Sequence, residues 1–108
     1  MESILTSVKK SLPMGEDDKH FDDVLIMHIN TVLAILTQVG VGPSSGFAIE
    51  SDSDTWDEFV GENPIFNMVK TYVCQKVKLV FDPPTSSTHM EALKQSIAEL
   101  EWRLNITE

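Results

Sequence analysis

The sequence predicts a mostly all-α domain of about four helices, two of them long, with one long acidic connection that has room for a short strand or hairpin. Three observations carry this expectation. Apolar residues recur at helical spacing in four separate segments, Gly and Pro fall between those segments, and 108 residues with 42% hydrophobic and 23% charged content suit one modest core. A single domain over residues 1–108 is therefore expected.

Each element has its own signal. Ile4, Leu5, Val8 and Leu12 share one face of a short helix over residues 3–12, with Ser3 as N-cap and Pro13 and Gly15 as the stop. Asp17 and Asp18 sit where acids favour a helix start. A long helix over residues 20–39 places Phe21, Val24, Leu25, Ile29, Val32, Leu36 and Val39 on one broad face, widened by Ile26, Leu33 and Ile35. Asp23, Asn30, Thr31 and Gln38 hold the remaining arc, and Gly40 caps the end. Residues 40–63 carry turn chemistry, a possible strand at Phe47-Ala48-Ile49 and one helical turn at Trp56–Val60. Asn63-Pro64 reads as an N-cap and first helical residue. The third long segment runs to Phe81 and is ended by Asp82-Pro83-Pro84. The last helix opens on a capping box at Thr88 to Glu91 and continues on Met90, Leu93, Ile97, Leu100 and Leu104, a narrow seam fitted to lie against other helices.

Charge is unevenly distributed. The chain carries a net −9, and residues 1–64 hold all of the surplus, with twelve acids and three bases; residues 65–108 hold five of each. This opposes a grip on nucleic acid through phosphates, which needs clustered Lys and Arg. The lone Cys74 precludes an intrachain disulfide and suits a reducing compartment. No apolar run approaches the roughly 20 residues of a membrane span, and the first residues, Met-Glu-Ser-Ile-Leu, do not read as a signal peptide. An acidic domain made inside a cell is expected.

Catalytic signatures are wanting. His20, His28 and His89 are scattered; His28 reads as a core histidine, and His20 beside Asp22 and Asp23 as decoration of a helix start. Glu50-Ser-Asp52-Ser-Asp54 begins like a calcium loop, but Asp57 and Asn63 stand where that loop needs Gly and Glu, so a solvated acidic loop is the reading. No nucleotide-binding or hydrolase motif is present. Catalytic, metal and cofactor sites are all expected to be none, and the protein is expected not to be an enzyme. Cys74 reads as structural, and Asn105-Ile-Thr107 as a chance sequon. Lys76 falls inside the apolar arc of its helix, so it either snorkels or meets an acid of its own chain or of another subunit.

The remaining candidates are surfaces. Trp102 points away from the Leu93/Ile97/Leu100 seam, which leaves interface and intrachain packing both open. With Lys76 it is a candidate subunit interface. Trp56 and Phe59 are candidate anchors of the acidic connection to its own core. Glu50, Asp52, Asp54, Asp57, Glu58 and Glu62 form a candidate channel- or partner-facing loop without a single base.

Phe21-Asp22-Asp23 at the start of a long helix, Gly40-Val41-Gly42-Pro43, the stop Val77-Lys78-Leu79-Val80-Phe81-Asp82-Pro83-Pro84-Thr85-Ser86 and the terminal Leu100-Glu101-Trp102-Arg103-Leu104 follow one another in order. In this the chain resembles the head–tail connector (head-completion, or adaptor) proteins of long-tailed bacteriophages, over nearly its whole length. The resemblance implies a structural virion protein at the head–tail interface, made in the host cytoplasm. It implies a homo-oligomeric ring of about twelve subunits docked under the portal protein and offering a platform to a stopper or tail-completion protein. DNA would pass through its channel without specific binding, and no membrane is involved. An acidic lumen would repel phosphates and let the genome slide. A ring also needs two different patches; Trp102 with the outer face of the last helix, and the over-wide arc of the second helix, are the candidates. The competing expectation is a small acidic helical protein-interaction or regulatory module, with a DNA mimic as a further alternative.

Overall fold

The computed structural model describes residues 2–15 and 17–106, with the side chains of residues 105 and 106 left aside; Thr107 of the sequon lies outside the described residues. Five helices follow in order: α1 (Ile4–Lys10), α2 (Asp22–Gln38), α3 (Trp56–Val60), α4 (Phe66–Phe81) and α5 (Ser87–Ile106). The fold is all-α, as expected. The fifth helix is α3, the single turn foreseen within the connection. Helix α4 occupies the middle and packs against α1, α2 and α5. Its apolar girth explains this place, since Val69, Tyr72, Val73 and Val77 are all buried.

Local chemistry sets the ends. Ser3 caps α1 by accepting the Thr6 N–H. Beyond α2, Gly40 adopts φ +91°, the Gly40 N–H reaches the Thr37 carbonyl, and the Val41 N–H reaches that of Leu36. This is a Schellman close with Val41 buried beneath it. Three starts differ from expectation. Asp17 and Asp18 precede α2 by several residues, Asp18 accepting the His20 N–H, and the acids of the first turn are Asp22 and Asp23. Asn63 accepts the Ile65 N–H in a turn before α4, which begins at Phe66. Ser86, not Thr88, receives the His89 N–H at the head of α5. A capping box does occur, at Thr55 and Glu58 of α3.

The connection also departs from the strand expectation. Among the described residues the only bridge is an isolated one between Ser3 and Thr55, made by Ile4 N–H to Asp54 O (3.0 Å) and Trp56 N–H to Glu2 O (3.2 Å). Phe47–Ile49 form no strand. The Asn30 side chain of α2 instead accepts the Ile49 N–H at 2.7 Å and donates to its carbonyl at 3.0 Å. One amide thus satisfies both backbone groups of Ile49 that a neighbouring strand would have paired.

The broad face assigned to α2 is narrower than the sequence suggested. Leu25, Ile29, Val32, Leu33 and Leu36 are buried, whereas Phe21 and Val24 are exposed, and Asn30 turns inward to the connection. Val80 of α4 is likewise outside the core.

Candidate interaction surfaces

The acidic connection is folded locally by hydrogen bonds to two of its own acids. Asp54 accepts from the N–H groups of Glu50 (2.7 Å) and Ser51 (3.3 Å), and Glu58 accepts the Thr55 N–H at 2.8 Å. Two of the six candidate acids therefore close turns. Glu50, Asp52, Asp57 and Glu62 present exposed side chains on the resulting frame.

Beneath the frame, Trp56 is fully buried and Phe59 nearly so. The Trp56 indole N–H donates to Ser7 Oγ at 2.8 Å, tying the connection to α1. Phe59 packs against Phe47 with the rings tilted by 39° and centroids 5.4 Å apart. It also lies against Gly42, where φ is +82° and an added Cβ would collide with the Phe59 ring. Glycine is required there twice over, by conformation and by space.

On the opposite side of α4, the Tyr72 hydroxyl donates to Glu101 Oε2 at 2.8 Å, and Lys76 Nζ lies 3.5 Å from the same oxygen. Lys76 thus meets an acid of its own chain. Burial, and then the bond to Glu101, pushes the Tyr72 phenol well above its ordinary value of 10. Beside this pair a cleft of about 200 Å³ opens between Ile35, Leu36, Val39, Tyr72, Glu101 and Leu104. Trp102 is 62% exposed, on the outside of α5.

The most buried charged contact given by the structure, at Lys9, has no counterpart in the sequence expectations. Lys9 is 3% exposed and pairs with Asp22 at 2.5 Å, linking α1 to the head of α2. The signal was available, because Lys9 interrupts the apolar arc of α1 as Lys76 interrupts that of α4. The histidines converge on nothing: His20 stacks edgewise on Phe21 and His28 is half-buried. Burial raises the Cys74 thiol above its ordinary range, and its S–H faces the Ser7 carbonyl at 3.9 Å. Among the described residues, no three His, Cys, Asp or Glu are grouped to hold a metal, and no helix is long and apolar enough to cross a membrane.

Residues 4–108 match the family described as phage connector protein, and the chain belongs to that family. It is therefore a structural phage protein and a virion component that meets other head or tail proteins. No curated protein and no solved structure matches it.

Proposed function

We propose that this chain is the ring-forming subunit of a head–tail connector: about twelve copies in closed cyclic symmetry, docked under the portal, extending the DNA channel and offering the platform for a stopper or tail-completion protein. Membership of the connector family across residues 4–108 carries the reading. The charge distribution supports it, since a conduit lined with carboxylates does not retain DNA.

Native mass across a wide concentration range tests the ring. A species of about twelve subunits, or a ladder towards it, is expected. A closed dimer that never grows would replace the ring with the small acidic regulatory module.

Within the ring, the 50–62 segment faces the channel or the next component. Four exposed acids, Glu50, Asp52, Asp57 and Glu62, are the ones to neutralise, because Asp54 and Glu58 hold the backbone. The fourfold amide variant is expected to keep its fold and its ring while impairing DNA retention, ejection or tail joining. Unchanged titre and ejection would remove the segment from that role.

A further inference from the structure

We infer that the outward face of α2 is the seat for Trp102 of a neighbouring copy. The inference rests on the ring reading and names the two surfaces that meet. From Val24 to Gln38, α2 contains no Asp, Glu, Lys or Arg. Its outward line is Val24, Met27, Thr31, Ala34, Ile35 and Gln38, all exposed. Val24 is 41% open, Met27 58% and Ile35 38%. This is a mostly apolar strip about 20 Å long on a protein of net charge −9.

Electrostatics selects the occupant. Two copies of so acidic a chain repel wherever their carboxylates approach, so they can meet closely only where both surfaces are electrically quiet. The strip on α2 is one such surface. The surroundings of Trp102 are another. Gln95 and Ala98 precede it along the same line of α5, exposed and uncharged. The acids on its flanks are already paired, Glu99 with Arg103 at 3.0 Å and Glu101 with Lys76 at 3.5 Å. An exposed indole between neutralised flanks fits an apolar helix face, and Trp is a common anchor of protein interfaces. The outward line of α2 and the Trp102 line of α5 lie on different helices, so a contact between these two faces joins different patches of successive copies. That is head-to-tail growth, as a ring requires.

Met27→Glu and Trp102→Glu each spoil one face and leave the other intact. Each variant alone should stay monomeric, needing a concentration higher by roughly 30-fold or more to associate, the loss of one strong anchor. Circular dichroism and Tm should remain those of the wild-type monomer, because both positions are exposed. Mixed together, the two variants should form a 1:1 pair that grows no further, through the one intact pair of faces. Thr31→Glu, on the same strip, replaces Met27→Glu if that variant loses its helix signal.

Several results overturn the inference. If either variant alone builds the wild-type species, the faces are not the contact, and the ring stands on other surfaces. If the mixed variants stay monomeric, the two faces do not meet each other. If Trp102→Glu still forms dimers that Met27→Glu abolishes, α2 pairs with itself. A wild-type chain that is monomeric at every concentration removes both this contact and the self-assembling ring.

Discussion

Ser7 shows how much a single hydroxyl can organise. It lies within α1, donates to the Ser3 carbonyl at 2.8 Å and accepts the Trp56 indole N–H at 2.8 Å, all in a nearly sealed setting. Ser7→Ala leaves that indole donor without its partner, at a cost of about 1–3 kcal/mol, or a Tm lower by roughly 5–15 °C. Trp56→Phe in the same background should recover part of the coupling, and a double-mutant cycle followed by thermal unfolding measures it. A null coupling energy would mean the bond contributes nothing. Gly42 sits under similar constraint from packing. Gly42→Ala meets both a left-handed backbone and the Phe59 ring, which together cost on the order of 2–4 kcal/mol. Its Tm and the fluorescence of buried Trp56 should both change, while Gly46→Ala, with open space around it, should cost less.

Among the elements, α5 buries few side chains and is tied to its neighbour by polar contacts. Of its described side chains only Ile97 and Leu104 are buried; Met90, Leu93 and Leu100 are half-covered. It is tied to α4 by Tyr72 to Glu101, Lys76 to Glu101 and Ser96 to Gln75 at 2.9 Å. Amides of α5 should therefore exchange faster than those of α2 and α4 in native-state hydrogen exchange. Tyr72 is the only tyrosine, so tyrosinate absorbance reports this one junction. In the unfolded chain the phenol ionises near 10, and in the fold it ionises higher. The tyrosine contribution to stability is thus fully present below about 10 and is lost as pH rises towards the folded value. The tyrosinate signal should appear late, alongside the loss of helix. An ordinary titration near 10 in the intact fold would show that the hydroxyl is not buried against Glu101. Tyr72→Phe should remove that alkaline contribution.

For the molecule as a whole, charge governs association. Among the described residues, Lys9, Lys70, Lys76, Lys78 and Arg103 are bases paired with carboxylates of the same chain. The exposed acids of the connection are left to set the outer field. Copies repel at long range, and salt screens that repulsion over a Debye length of about 8 Å at physiological ionic strength. Native mass should consequently shift upwards as salt rises from a few millimolar to physiological strength. Assembly weakened by salt would point to intersubunit ion pairs in place of the uncharged faces of α2 and Trp102.

The four helical segments, the Gly40 cap, the Ser3 cap and the stop at Asp82-Pro83-Pro84 were all legible in the linear sequence. Each rests on spacing or on backbone chemistry acting within a few residues, and the connector resemblance was carried by those same punctuating motifs. The N-termini of α4 and α5 were legible only approximately, because Asn63, Ser86 and Thr88 are chemically equivalent caps and the flanking turns choose among them. What tertiary structure decided is of longer range. Asn30 reads as an outward polar residue on a helical wheel, yet it turns inward because Ile49, nineteen positions away, needs both its backbone groups satisfied. Val24 reads as core and stands outside, because α4 and α1 together cover only one side of α2, while Phe21 keeps an exposed ring edge-on to Phe81 at the end of α4. Periodicity reports that a helix has an apolar face; how wide a face is covered depends on which helices pack against it.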